Sequence, residues 1–329
     1  MAAPRLALPA MLSDRPAWLG ALVVVIAAAL FGSLGVASRW AYDAGVTPFA
    51  FVAWRALFGS IGLGLLVVAT CRAGGSLGIG GASTRALGTL VLAMVLGAGV
   101  NLSIFLAFQR TTIALALLGF YTYPAMIAAA SGILGRERLD GSRIAALVLA
   151  LGGMVAVVLG GLQSDAGTVD ALGILLGLLG GACQATFVLT SRGYAGIRAD
   201  VAIGIVLAGS AVIGGAVTIL SDGAAALLFP LESPAVLALL LSIGLFAAAA
   251  SSVRMLTGIR WIGGVRTGIL MLFEPVVGVA LAALLLGEGL SPIQATGGAT
   301  ILVAAILVQR DAPSPDAAGS AVAPAPLAQ

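Results

Sequence analysis

The sequence predicts an all-α integral membrane protein with ten transmembrane helices arranged as two inverted repeats of five. Hydrophobic residues make up 60% of the 329 residues, and charged residues make up only 9%. A soluble domain carries about 25% charged residues, and no soluble fold of this size could hide so much apolar surface from water. Apolar runs of about 20 residues, the length of a membrane-spanning helix, recur along the chain. Two landmark motifs also recur half a chain apart.

Ten apolar segments meet this length, although Arg254, Arg260 and Arg266 interrupt the eighth and the start of the ninth. Residues 1–16 are predicted to be a cytoplasmic segment. Their arginines would also suit a signal peptide, but the apolar run that follows is long enough to span. Residues 310–329, rich in Pro and Ala, are predicted to be a disordered cytoplasmic tail. The ten predicted spans are Trp18–Ala37, Phe49–Ala69, Leu87–Phe108, Thr111–Leu134, Arg143–Gly160, Ala171–Thr190, Val201–Leu220, Pro234–Val253, Gly264–Leu286 and Pro292–Gln309.

The placement of arginine orients the chain. With the N-terminus inside, twelve of the fourteen arginines between the spans or at a span end lie on the cytoplasmic side, and only Arg39 and Arg110 lie in outer loops. The positive-inside rule therefore predicts that both termini face the cytoplasm. The Ala-, Gly- and Arg-rich composition hints at a bacterial genome, so we expect a multi-pass protein of the inner (plasma) membrane.

The residue types that the chain lacks exclude several kinds of chemistry. It has no His, and all sixteen basic residues are Arg. Without Lys there is no P-loop for ATP, and without His there is no Ser-His-Asp triad or His metal site. Cys71 and Cys183 lie far apart, so no disulfide is predicted. We expect neither an enzyme nor a cofactor. The scattered arginines suit membrane orientation better than nucleic-acid binding.

One pair of motifs recurs at a constant offset. Tyr123-Pro124 leads to Leu134-Gly135-Arg136-Glu137, and Glu274-Pro275 leads to Leu286-Gly287-Glu288. The glutamate stands thirteen residues after the proline in both copies, and the copies are 151 residues apart. One unit therefore spans about 150 residues and contains five helices.

Because five is an odd number, the second unit must cross the membrane in the opposite direction. The two units are predicted as residues 17–160 and 171–309. The first motif carries Arg136 and Arg138 on the predicted cytoplasmic side, whereas its copy around Glu288, on the predicted outer side, has no Arg. Inverted repeats are an architecture of secondary transporters, whose substrate site lies near the bilayer midplane between the halves.

These motifs resemble the drug/metabolite transporter superfamily, specifically proteins with two EamA-type domains. The resemblance is carried by residues 48–55, 123–139 and 272–288, and it covers about residues 18–309. It implies ten helices, cytoplasmic termini and the export or exchange of metabolites, often amino acids or drug-like compounds.

Arg55 and Glu274 are charged residues deep in predicted spans. An arginine there costs about 2.5–3.5 kcal/mol, so Arg55 should face the bundle interior and attract an anionic group of a substrate. A structural ion pair and snorkelling to the surface are the alternatives. Glu274 could carry a coupling proton, bind a substrate amine or pair with Arg55. Pro124 and Pro275 are predicted to kink their helices near the site, with a purely structural kink as the alternative.

Five uncharged residues complete the predicted substrate pathway: Phe31, Asn101, Tyr121, Tyr123 and Gln184. The four polar ones would otherwise serve as hydrogen-bonding contacts between helices. The resembled family often carries a Trp on the first helix of each half. Phe31 and Gln184 stand at those positions here, which departs from the family pattern.

Two other features are predicted to be structural. Glu137 and Glu288, near helix ends, are expected to have a structural or gating role. The small-residue ridge of Gly173, Gly177 and Gly181 is expected to pack inside the bundle, with a homodimer face as the alternative.

Together these patterns predict a secondary transporter of small metabolites that works by alternating access, and the resemblance implies an exporter of amino acids or drug-like compounds. Its expected partners are a small-molecule substrate, membrane lipid and coupling protons. A channel and a non-transporting scaffold or receptor are the alternatives.

Overall fold

The computed structural model describes residues 17–77, 79, 81–110, 113–135, 140–161, 170–287 and 291–310. Within these ranges the chain is helical and contains no β-strand. Short 3₁₀ helices occupy Ser191–Tyr194 and Phe229–Glu232, and a π-helix occupies Ile243–Ala250. The α-helices are α1 (Ala17–Asp43), α2 (Pro48–Arg72), α3 (Thr84–Arg110), α4 (Ile113–Phe120), α5 (Tyr123–Ile133), α6 (Gly141–Gly161), α7 (Ala171–Thr190), α8 (Ala199–Ser221), α9 (Ala224–Leu228), α10 (Pro234–Ser242), α11 (Ser251–Ile262), α12 (Gly264–Met271), α13 (Glu274–Leu286) and α14 (Pro292–Arg310).

Nine helical segments among the described residues are long and apolar enough to cross a membrane. They coincide with the first nine predicted spans, and their outward faces carry exposed residues such as Val212, Leu220 and Leu284. An all-α integral membrane protein is therefore confirmed. The tenth predicted span contributes a shorter apolar helix at Pro292–Leu307, so the count of ten stays a prediction. Residues 1–16 and most of the predicted tail lie outside the described ranges.

The eighth span differs from its predicted bounds at its C-terminal end. The eighth does not end at Val253 but continues through α11 to Ile262. Its arginines fit because each finds a carbonyl acceptor: Arg254 Nη1 donates to the Ala250 carbonyl over 3.0 Å, and Arg260 Nη2 donates to the carbonyl of Tyr194 over 3.3 Å. An arginine that finds a hydrogen-bond acceptor inside the protein need not end a membrane helix.

The fourth and ninth spans are each broken into two helices. The break between α4 and α5 falls at Tyr121-Thr122, and the break between α12 and α13 falls at Leu272-Phe273. In both, proline is the second residue of the following helix, where its missing N–H costs no hydrogen bond. The two broken spans also touch, because a Cβ on Gly268 of α12 would lie 3.3 Å from the Cβ of Pro124.

The recurring Leu-Gly motif ends a helix in both halves. Gly135 follows α5 with φ of 62°, and Gly287 follows α13 with φ of 70°. Glycine adopts this left-handed conformation without the steric cost that a Cβ imposes, and it commonly ends helices in this way. The glutamates of the motif, Glu137 and Glu288, lie outside the described residues.

Contacts between helices follow a paired pattern. Helix α1 packs on α11 and α13, and α7 packs correspondingly on α3 and α4. Helix α2 packs on the π-helix, as α8 packs on α3, while α2 pairs with α8 and α6 pairs with α14. In a repeat of five helices, the first span corresponds to the sixth, the second to the seventh and so on. When each span is exchanged with its counterpart, every one of these contacts becomes another contact of the same set or remains unchanged. A two-fold relation between the halves requires this pattern.

Glycines allow the closest of these contacts. The ridge of Gly173, Gly177 and Gly181 on α7 is buried, and a Cβ on Gly181 would lie 2.7 Å from the Phe120 carbonyl oxygen. On the other side of the bundle, a Cβ on Gly32 of α1 would lie 2.7 Å from the Glu274 carbonyl oxygen. The glycine ridge thus packs inside the bundle and is not a free homodimer face.

A glycine contact of this kind provides a stability test on α6. A Cβ on Gly153 would lie 2.6 Å from the Gly297 carbonyl oxygen of α14, whereas nothing lies within 4 Å of a Cβ on Gly152. We expect Gly153→Ala to lower the unfolding temperature in detergent, at a cost of about 1–3 kcal/mol for overpacking. The neighbouring Gly152→Ala is the control and should leave the temperature unchanged. Equal effects of the two changes would contradict the α6–α14 contact.

Contacts at the helix ends agree with a chain that crosses the membrane back and forth. Arg198 Nη1, at the start of α8, donates to the Ser76 carbonyl after α2 over 3.4 Å, and both are predicted to be cytoplasmic. Trp54 Nε1, near the start of α2, donates to the Leu227 carbonyl after α8 over 2.8 Å, on the predicted outer side. Segments that are predicted to lie on the same side of the membrane are therefore in contact with each other.

Which side is the cytoplasm can be measured with single cysteines. In a variant that lacks Cys71 and Cys183, we introduce Asp140→Cys or Asp222→Cys, two exposed positions at opposite ends of the bundle. If the termini are cytoplasmic, an impermeant thiol reagent should label only position 222 in intact cells, and both positions after the cells are opened. Labelling of position 140 alone in intact cells would reverse the orientation.

Candidate functional site

The structure brings Arg55 of α2 together with Asn101 of α3. Arg55 is the eighth residue of α2, about 10 Å from the helix start. Its Nη2 donates a hydrogen bond to Asn101 Oδ1. Asn101 Nδ2 in turn donates to the Gly97 carbonyl over 2.8 Å, which turns the amide oxygen toward the guanidinium. The guanidinium carbon also lies 5.9 Å from the centre of the Phe51 ring. Both partners of Arg55 are thus uncharged.

Glu274 lies at the break of the ninth span, as the first residue of α13. The partial positive charge of the helix N-terminus favours a carboxylate at this position. The Tyr121 hydroxyl, from the break of the fourth span, donates a hydrogen bond to the carboxylate. Tyr123 lies close enough for its hydroxyl to interact electrostatically with the same carboxylate. The two broken spans therefore supply the site from both halves of the chain.

The two tyrosines beside this carboxylate pack against a further aromatic ring. The centre of the Phe120 ring lies 5.3 Å from that of Tyr121 and 5.4 Å from that of Tyr123. Beside Arg55, the rings of Phe51 and Tyr42 meet edge to face with centres 5.7 Å apart. Phe120, Phe51 and Tyr42 were absent from the predicted pathway. Phe51 and Phe120 were nevertheless detectable in the sequence, because each lies about one helical turn before Arg55 or the Tyr-Pro motif.

Arg55 and Glu274 share one electrostatic site without forming an ion pair. Each is close enough to act on the charge of the other. Among the described residues, however, neither is within ion-pair distance of the other: the side-chain partners are Asn101 and Tyr121. The structure therefore does not contain the ion pair between Arg55 and Glu274 that was one predicted alternative.

Arg55 and Glu274 differ from the neighbouring tyrosines in the accessibility of their side chains. Both charged residues keep part of their surface accessible, whereas Tyr121 and Tyr123 are only 3% and 2% exposed. An arginine, a carboxylate and tyrosines that come together inside a helix bundle are residue types that can bind a polar solute.

Two predicted pathway residues lie further from this centre. Phe31 on α1 is half-buried and precedes Gly32, which contacts the Glu274 backbone. Gln184 Nε2 lies 3.6 Å from Met255 Sδ on α11, and this contact does not involve Arg55 or Glu274. In the described part of the chain no group of three or more His, Cys, Asp and Glu side chains could hold a metal ion.

A helix bundle with a lipid-exposed surface and an enclosed pair of opposite charges defines a multi-pass membrane protein with a polar site inside the membrane. Residues 18–159 match the EamA-like transporter family. The first half of the chain is thus similar to a family of membrane transporters that lies within the drug/metabolite transporter superfamily. The match does not reach residues 171–309, so the second EamA-type unit stays a prediction.

Among the solved structures with a similar fold, one covers most of this chain. It is described as "Crystal structure of protein", and it superposes with a TM-score of 0.72 over 88% of this chain and 96% of its own. The two sequences are 20% identical, so the likeness extends to the fold alone. No curated protein matches the chain.

Proposed function

We propose that this protein is a secondary carrier that exports small metabolites, such as amino acids or drug-like compounds, by alternating access. The observation that carries the proposal is the enclosed site with Arg55 from the first half and Glu274 from the second. Charges held at this depth are costly, and proteins retain them there mainly for substrate or ion pathways.

The proposed carrier consists of two inverted repeats, residues 17–160 and 171–309. The paired helix contacts and the two broken spans at equivalent places support this arrangement. Alternating access then follows when the two halves exchange conformations, so that one side of the site opens as the other closes.

Arg55 is the proposed binding group for an anionic part of the substrate, such as a carboxylate. Its side-chain hydrogen-bond partner, Asn101, is neutral and does not neutralise the positive charge. A planar guanidinium presents several donors, so it can keep the bond to Asn101 and still bind a carboxylate through its other nitrogens.

Glu274 is the proposed coupling group. The chain has no P-loop lysine, so a solute or ion gradient is the proposed driving force. A carboxyl group can take up a proton on one side of the membrane and release it on the other. The Tyr121–Glu274 hydrogen bond joins the two halves, so motion between the halves would change the surroundings of that proton.

Counterflow in liposomes tests this function. A screen of an overexpressing strain for exported metabolites first supplies the solute. Purified protein is reconstituted with an unlabelled excess of that solute inside, and labelled solute is added outside. A carrier should accumulate the label transiently above equilibrium, because exchange through one site couples the two fluxes. A channel would equilibrate the label without the overshoot, and a scaffold or receptor would move none. Either result would contradict the proposal.

A further inference from the structure

We infer that Asn101 and Tyr121 are positioning residues that hold Arg55 and Glu274 apart, so that both charges stay available to the transported solute. The inference rests on the proposed function of the same site. It assigns Asn101 and Tyr121 a role different from direct contact with the substrate.

The first support is the way in which Asn101 is held. Its Nδ2 is engaged by the Gly97 carbonyl one turn earlier on the same helix, so its orientation is set by α3 itself. Its Oδ1 therefore acts as a fixed acceptor for Arg55. The ring of Phe51 lies beside the guanidinium as well, 5.9 Å from its central carbon. Arg55 is thus restrained by neutral groups of the first half.

The second support is the matching arrangement at Glu274. Tyr121 is only 3% exposed and packs against Phe120, so its hydroxyl has little freedom to move. That hydroxyl donates to the Glu274 carboxylate, which the N-terminus of α13 also stabilises. Each charge therefore has its own neutral hydrogen-bond partner, Asn101 from α3 and Tyr121 from the break between α4 and α5.

The third support is what the two charges would do otherwise. Opposite charges that interact across a low-dielectric site attract strongly, and both side chains are long and flexible. Removing one neutral partner would free Arg55 or Glu274 to close the gap and form an ion pair. A closed pair would compete with the solute for both groups. Asn101 and Tyr121 prevent this collapse without adding charge.

The predicted change is Asn101→Leu, which removes the acceptor but keeps a side chain of similar size. Arg55 should then pair with Glu274. In counterflow, the KM for an anionic solute should rise at least about tenfold, because the solute must displace the carboxylate. Adding Glu274→Gln to Asn101→Leu should return the KM to the value of Glu274→Gln alone. Tyr121→Phe, which keeps the ring but removes the hydroxyl, should weaken binding in the same direction.

A second measurement does not depend on transport. In the Asn101→Leu background, Glu274→Gln breaks the new ion pair and should lower the unfolding temperature by about 5 °C or more. In the wild-type background, Glu274→Gln breaks no ion pair and should have a much smaller effect. The difference between the two backgrounds reports directly whether Asn101 keeps the charges apart.

The outcomes separate this inference from the proposed function. If Glu274→Gln has the same effect on the unfolding temperature in both backgrounds, the positioning role is wrong. If the losses caused by Asn101→Leu and Glu274→Gln simply multiply in counterflow, Asn101 contacts the solute directly and the inference is also wrong. If the wild-type protein shows no counterflow, the carrier proposal fails, while the unfolding temperatures still decide whether Asn101 separates the charges.

Discussion

Replacing Arg55 with Ala should reduce transport at least about 100-fold while the protein remains folded in the membrane. Truncating one partner of a buried charge pair typically costs about 2–5 kcal/mol, and every 1.4 kcal/mol is a tenfold change in affinity. In this protein the lost partner would be the anionic group of the solute, because Arg55 bonds to neutral Asn101 and not to Glu274. Counterflow with reconstituted protein measures the loss.

Two further variants make this result specific. Arg55→Lys keeps the charge but loses the planar donors, so it should bind Asn101 and the solute less well and retain only part of the activity. Arg85→Ala removes an exposed arginine at the start of α3 and should transport like the wild type. Wild-type transport by correctly inserted Arg55→Ala protein would remove this arginine from the mechanism.

Glu274→Gln should abolish transport against a gradient but preserve exchange. Glutamine keeps the size and much of the hydrogen bonding of the side chain, but it cannot carry a proton. The variant should therefore no longer accumulate solute in response to an imposed pH gradient, while labelled and unlabelled solute still exchange in counterflow. Glu232→Gln, which changes an exposed glutamate between α8 and α10, is the control and should leave both activities intact.

A measurement on the wild-type protein could contradict the proposed role of Glu274 in proton coupling. If collapsing the pH gradient leaves its driven transport unchanged, Glu274 has no role in proton coupling. A purely structural Arg55–Glu274 pair makes yet another prediction: either single change would lower the folded yield, and the double change would restore it. Because the structure contains no such pair, we expect near-normal yields for both single variants.

The spans were predictable because the bilayer itself sets their length. A helix needs about 20 apolar residues to cross the hydrocarbon, and α7 begins and ends at the predicted residues Ala171 and Thr190. The end of the eighth span was not predictable in the same way. Hydropathy registers the charge of Arg254 but not the Ala250 carbonyl that receives its hydrogen bond.

The candidate site was predictable only in part, for a related reason. Arg55 and Glu274 could be recognised from the sequence because a charge in lipid is costly wherever it is placed. Their partners could not, because Asn101 and Tyr121 stand 46 and 153 residues away from them along the chain. Gln184, a polar residue in a similar apolar setting, contacts Met255 instead.

The sequence by itself determined the class of the protein, the approximate position of its spans and the two charged residues that needed an explanation. These properties follow from composition, from the thickness of the bilayer and from the energetic cost of each charge, and none of them requires knowledge of neighbours. Only the tertiary structure decided that Arg55 bonds to Asn101, that Glu274 lies beside Tyr121 and that the two broken spans meet. Such contacts depend on how helices distant in sequence pack together, and glycines such as Gly32 and Gly181 permit that packing only where the opposing backbone is within reach.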